Sequence, residues 1–209
     1  MNVKDLLNLE GKVILVSGGA GSYGKSIVEG LAEAGGTVII ASRNLKNGQA
    51  VAEAFRVEGL DVHALQVDQG IHESVLALKN EILKSFGKLD VFVNNAVARP
   101  MKGYDDSMEN FAESMRINAT GMMDILREMC EIIGENGGGS VINISSMMGM
   151  YGPDLSNYEG TDMGNPPPDY FFHNGGLINL TRYLFLMKYL IFMLIPIILY
   201  ISLPMHGLF

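Results

Sequence analysis

Residues 17–26, Ser-Gly-Gly-Ala-Gly-Ser-Tyr-Gly-Lys-Ser, follow directly on the apolar run Val13-Ile14-Leu15-Val16. A glycine-rich turn between a strand and a helix is suited to one kind of chemistry. Glycines let the main chain approach a diphosphate, and the helix N-terminus offers it unpaired N–H groups and a partial positive charge. On its own the turn is equally consistent with a tight strand–helix connection that binds nothing. Other common chemistries lack their residues. Cys130 is the single cysteine, and His63, His72, His173 and His206 are scattered without ligand spacing, which argues against a disulfide framework or a zinc site.

The elements that must position this turn follow from the hydrophobic pattern. Short, apolar, β-branched segments at 13–17, 37–41, 62–67, 89–94 and 140–145 alternate with helix-like stretches. This is the pattern of βαβ units on a parallel sheet covered on both faces. Ile27, Leu31 and Ala34 mark one helix face, and Val75, Leu78, Ile82 and Phe86 another. The expected fold class is therefore α/β: a Rossmann-type doubly wound parallel sheet in three α/β/α layers. Residues 1–186 form one domain, with no internal repeat and no interdomain linker.

Composition narrows the partners. The formal net charge is −8 with no basic cluster, so nucleic acid is not an expected partner and an anionic membrane surface is disfavoured. The solitary cysteine suits a reducing, cytoplasmic setting, and residues 1–10 carry no apolar segment of a secretory signal.

Several further motifs extend the reading. Ser17-Gly18-Gly19-Ala20-Gly21-Ser22-Tyr23-Gly24, Asn94-Asn95-Ala96-Val97, Asp68 after the third strand, "INATG" at 117–121 and "VINISSMMG" at 141–149 occur in that order along the chain. Together they resemble the short-chain dehydrogenase/reductase family over roughly residues 8–186. The match departs from the family pattern at Ser22, where the middle glycine of the first motif is replaced, and at Val97, where a glycine is lost. The resemblance implies a cofactor site at Ser17, Gly18, Gly21, Ser22, Tyr23, Gly24, Asp68, Asn94 and Ala96, with Asp68 at the adenine. After the second strand the chain reads Ala41-Ser42-Arg43-Asn44. No carboxylate is present there to repel a 2′-phosphate, and Arg43 offers a planar charged fork, so Ser42 and Arg43 make NADP the preferred cofactor over NAD. The alternative is that Arg43 is a solvated surface charge.

The same resemblance implies hydride transfer between the nicotinamide and a small alcohol or carbonyl substrate. Such a reaction needs a proton donor and a group that holds the carbonyl oxygen. In the family a serine holds the oxygen, a tyrosine moves the proton, and a lysine four residues later assists the tyrosine. Ser146 takes the first role, with Ser145 as the alternative. Tyr170 takes the second in preference to Tyr158, because Tyr170 opens a helical pattern. Asn118 occupies the proton-relay position. The lysine position is Asn174, which carries no charge, so impaired turnover is expected. Ser146 and Tyr170 lie 24 residues apart, longer than is usual in the family, and the intervening segment implies a sugar- or polyol-like substrate. A non-catalytic nucleotide-binding member is the alternative that Asn174, Ser22 and Val97 favour.

The chain changes character after Tyr183, from which point no acidic residue appears. Residues 189–205 are 17 uncharged residues interrupted by Pro196 and Pro204. A membrane anchor, a buried helix or strand, and an out-of-frame ending of the gene all fit this composition. The third is the reading adopted, so 187–209 is taken as an aberrant apolar tail, the sheet is expected to end at its fifth strand, and an exposed apolar edge should lower solubility. The resemblance also implies a homo-oligomer, dimer or tetramer, formed through helices at about 108–133 and 170–186.

Overall fold

A computed structural model describes residues 6–160, 166–186 and the backbone of 192–199. Strand β1 (Val13–Ser17) is buried at every position, and its alternate side chains enter opposite cores. Val13 and Leu15 face one apolar cluster, Ile14 and Val16 the other. Strand β2 (Thr37–Ser42) divides in the same way, with Ile39 and Ala41 on the first side and Val38 and Ile40 on the second. A strand wet on one face would alternate apolar with polar residues; these do not, because helices cover both faces.

The covering helices are α1 (Ser22–Glu33) and α2 (Leu45–Val57) on one side. On the other lie α3 (His72–Phe86), α4 (Met108–Met115), α5 (Met122–Glu135) and α6 (Pro168–Leu186). Val75, Leu78 and Ile82 of α3 are buried as the pattern predicts. In α1 the buried stripe is Val28 and Ala32, one residue on from the expected Ile27, Leu31 and Ala34; Ile27 and Leu31 pack at its flank. Helix α3 stops at Gly87, whose φ of 75° is the left-handed conformation that ends a helix.

With β3 (Val62–Gln66), β4 (Val91–Asn94), β5 (Gly139–Ser146) and β6 (Phe192–Leu199), the sheet has the order β3-β2-β1-β4-β5-β6, and every pair is parallel. This is the doubly wound Rossmann arrangement, whose order reverses between β1 and β4. Ligands of such sheets bind beyond the strand C-termini at that switch point. The sheet does not end at the fifth strand. Residues 192–199 run beside β5 in continuous register from Gly139↔Phe192 to Ser146↔Leu199. An eight-residue apolar run bounded by a break reads as a span only when joined to its neighbours; alone it has the length of a strand. Pro196 lies in β6, which is the edge of the sheet among the described residues, where a missing N–H interrupts no further pairing. The remainder of the expected aberrant tail, 187–191 and 200–209, lies outside the described residues. Among those described, no helix is long and apolar enough to cross a membrane.

Candidate active site

The glycine turn leaves β1 at the switch point. Gly18 has φ 68° and its N–H donates to Ala41 O at 2.8 Å. A Cβ on Gly18 would stand 3.0 Å from Ala96 Cα and 3.1 Å from Asn95 Nδ2, so the turn and the end of β4 are in contact. Gly24, within the first turn of α1, packs on Gly18 O, and a side chain there would overlap that oxygen. The N-cap, Gly21, makes no side-chain capping bond. The first N–H groups of α1 therefore remain available to an anion in the groove.

Ser17 is fully buried, and its Oγ accepts from the N–H groups of Asn95 and Ala96 at 3.0 Å each. The Asn95 side chain returns two bonds, from Nδ2 to the carbonyls of Ser17 (3.0 Å) and Gly18 (3.3 Å). Ser17 thus ties the two loops together from behind rather than lining the groove. Asn95 was not singled out by sequence reasoning, although it stands in a quoted motif.

The groove has a volume of about 510 Å³ and is lined by Gly18, Gly21, Ser22, Tyr23, Gly24, Ser42, Arg43, Asp68 and Ala96, among others. The sequence-derived cofactor residues other than Ser17 and Asn94 therefore converge on it. Asp68 Oδ1 accepts from Gly70 N at 3.0 Å. Arg43 is exposed, and Asn44 beside it caps α2 by accepting from Asn47 N. Asn94 is buried and donates from Nδ2 to Asn143 Oδ1 at 3.0 Å, while its own Oδ1 has no partner among the described residues. Asn143 in turn donates to Thr181 Oγ1 at 3.0 Å, joining β4, β5 and α6.

A smaller cavity of about 90 Å³ opens beside the groove and shares Tyr23, Asn95, Ala96, Val97 and Arg99 with it. Ser145, Ser146, Asn94, Asn118, Tyr170 and Asn174 line this cavity, so the four residues assigned to chemistry from the sequence meet there. Tyr158 is not among them; it belongs to the 3-10 turn Leu155–Tyr158. The long excursion between Ser146 and Tyr170 includes 161–165, which lie outside the described residues.

Each side chain has a definite environment. Ser146 Oγ accepts from Met148 N at 3.2 Å, and among the described residues its own proton is donated to no group. Ser145 Oγ instead donates to Asn174 Oδ1 at 3.1 Å. Asn174 is buried and donates from Nδ2 to Tyr170 O at 2.8 Å, so its amide is committed at both ends to the helix and the neighbouring strand. Asn118 lies in a π-helical turn, Arg116–Gly121, set between α4 and α5 where the family resemblance implies one helix over about 108–133. Its amide accepts from Ala98 N and donates to Ala98 O, both at 2.8 Å, and to Ser114 Oγ at 3.0 Å. It pins the loop after β4. Such π-turns are frequent at functional sites.

Two titratable cavity residues, Arg99 and His173, have no role assigned from the sequence. The guanidinium of Arg99 lies 5.4 Å from the centroid of the Tyr170 ring. His173, one turn along α6 from Tyr170, is 8% exposed, and its Nε2 has no partner among the described residues. Neither had a sequence signal, because each reaches the cavity by packing between separate elements.

Burial, reinforced by the charge of Arg99 and opposed by Asp169, lowers the His173 pKa from 6.5 to about 4. The native state therefore binds a proton less readily than the unfolded chain does. The stability this represents is fully present above about pH 6.5 and is lost as the pH falls toward 4, with an upper size of about 3 kcal/mol. Thermal unfolding of the parent should show a steeper decline over that window than His173→Leu does. Equal slopes would contradict the assignment.

Comparisons with known proteins complete the description. Residues 12–164 match the short chain dehydrogenase family. An uncharacterized oxidoreductase of Thermotoga maritima is 32% identical over 176 residues, covering 83% of this chain and 64% of that protein. NAD+-bound xylitol dehydrogenase superposes with a TM-score of 0.74 at 26% identity, covering 84% of this chain and 64% of that one. A gluconate 5-dehydrogenase from Burkholderia cenocepacia, in complex with NADP and tartrate, gives 0.75 at 25% identity, covering 88% and 68%. The chain spans between 42% and 64% of the length of the first curated relatives it matches.

Proposed function

Because the chain belongs to the short-chain dehydrogenase family, we propose that it binds a nicotinamide dinucleotide in the groove and is built to interconvert an alcohol and a carbonyl. The observation that carries this reading is the continuity of the two spaces: a glycine-lined groove at the β1–β4 switch point opens into the cavity holding Ser146 and Tyr170. The residues present fit a dinucleotide, since Gly18, Gly21 and Gly24 line the groove without side chains and α1 begins there without a side-chain cap. When bound, the nicotinamide supplies or accepts the hydride. The chain's own residues do the rest. Ser146 donates its free O–H to the substrate oxygen, and Tyr170 delivers or receives the proton. Asn118 holds the loop of Ala96–Ala98 in position between the two spaces.

NADP is the preferred partner. Arg43 lies in the groove lining beside Ser42, Asn44 and Asn47, with no carboxylate among those four. Arg43→Ala is expected to weaken NADPH binding about tenfold or more while changing NADH binding by less than about twofold. Fluorescence titration checks it, and an equal loss for both nucleotides would remove the assignment. The NAD+-bound and NADP-bound structural relatives bracket the two possibilities.

The substrate is inferred to be a small hydroxylated molecule, sugar- or polyol-like. A second reading, nucleotide binding without turnover, is favoured by Asn174, whose amide is bonded to Ser145 and to Tyr170 O where a cation would assist the tyrosine. Exchange of hydride between reduced and oxidised nucleotide and a panel of ketones and polyols separates the two. Self-association is also inferred, through α4 and α6, where Met108, Phe172 and Tyr183 are exposed and Phe111 meets Phe172 edge to face. Light scattering of the purified chain tests it, and a monomer at all concentrations would refute it.

A further inference from the structure

Resting on the reading just given, we propose that Arg99 makes the cavity selective for anionic substrates by holding a carboxylate beside the hydroxyls of Ser146 and Tyr170. Among the described residues that line the cavity, Arg99 is the one permanently charged side chain and none is acidic. Among the described residues it makes no ion pair and no hydrogen bond. A guanidinium carries five donors in a planar fork that matches a carboxylate, so an unengaged one at a cavity wall is a ready anion site. The guanidinium carbon of Arg99 lies over the Tyr170 ring, 5.4 Å from the centroid, within the range of a cation–π contact.

Arg99 stands where the cavity meets the groove and lines both. A diphosphate belongs at the start of α1, against Gly18–Gly24, whereas Arg99 lies over the tyrosine assigned to proton transfer. His173 supplies a second, neutral contact. It lines the same cavity, is more than nine-tenths buried, and has an unpartnered Nε2, a fit for one hydroxyl of a hydroxylated ligand. Its proton affinity is depressed in part by Arg99, so the positive field of Arg99 reaches the cavity interior. A carboxylate carrying neighbouring hydroxyls, such as a sugar acid, satisfies both groups; a polyol satisfies only the histidine.

The test uses gluconate and glucitol, which share a carbon skeleton and differ in one carboxylate. The full chain is titrated with each by calorimetry, with and without saturating NADP, at low and high ionic strength. Gluconate should bind about tenfold or more tighter than glucitol at low salt, and the margin should shrink at high salt. Arg99→Leu should abolish the margin, Arg99→Lys should keep part of it, and in both NADPH affinity should change far less than gluconate affinity. Equal binding of the two ligands, binding of neither, or a margin that survives Arg99→Leu overturns the proposal. So does loss of NADPH affinity in Arg99→Leu with the ligand margin unchanged, which would give the residue to the nucleotide. If the parent itself fails to bind NADPH, the nucleotide reading fails, and the titration without nucleotide still decides the role of Arg99.

Discussion

Gly24→Ala is expected to lower NADPH affinity by about 100-fold or more and to reduce the melting temperature. The added Cβ would overlap Gly18 O and lie 2.7 Å from Gly19 Cα and 2.9 Å from Gly19 C. All three are backbone atoms, so the overlap cannot be relieved by turning a side chain. The turn itself has to move, and with it the amides placed to meet a diphosphate. Overpacking of this kind costs about 1–3 kcal/mol in stability, while the displaced cradle acts separately on binding. Gly30→Ala is the matched control. Gly30 also lies in α1, a Cβ there meets nothing within 4 Å, and alanine is favoured over glycine in a helix by about 1 kcal/mol. That variant should be as stable as the parent or more so, with unchanged affinity. If both variants bind NADPH like the parent, the glycine turn is only a connection between β1 and α1.

Asn174→Lys is expected to raise turnover by about ten- to a thousandfold, starting from a parent of low or no activity. An ammonium within reach of a phenol shifts its ionisation by about 1–3 units in favour of the phenolate. In the parent the amide of Asn174 is neutral and faces inward, bonded to Tyr170 O and to Ser145 Oγ. A lysine at this position cannot accept from Ser145, and its ammonium would stand in the cavity that Asn174 and Tyr170 both line. Asn174→Met has similar length and no charge, and it should not restore activity. Steady-state oxidation and reduction rates over a substrate panel read the effect as a change in kcat. Should the lysine and methionine variants be equally inert, the defect lies elsewhere in the site.

The parts of the fold legible in the sequence are those where one local pattern decides the outcome. From Val13 to Val16 in β1 and from Val38 to Ala41 in β2 every residue is apolar, and only a strand covered on both faces has that use for them. The glycine turn was equally legible, because Gly18 needs a positive φ and Gly24 needs the absence of a side chain. The π-helical turn was not. Its apolar spacing continues that of α4 and α5, and what marks it is tertiary: Gly121 packs on Gln69 O, and Arg116 donates to Gly70 O. Strand β6 was missed for a different reason. Its apolar run continues into neighbours of the same composition, so nothing in the pattern separates a strand from a longer span.

In the site, the residues carried by motifs met in space, whereas those defined by packing had to be seen. Ser146, Tyr170, Asn118 and Asn174 line one cavity as the motif order implied. Arg99 and His173 line it too, through a loop after β4 and the buried face of α6. Ser17 moved in the other sense. Its motif position suggests contact with the nucleotide, but full burial commits its hydroxyl to the N–H groups of Asn95 and Ala96.

The central claim is that the main-chain amides following β1 exist to hold a diphosphate at the β1–β4 switch point. Equilibrium titration of the folded chain with NADPH tests it most directly. Saturable binding at one site per chain, lost in Gly24→Ala and retained in Gly30→Ala, is the predicted result. A chain that melts cooperatively yet shows no affinity for NADPH or NADH would contradict it.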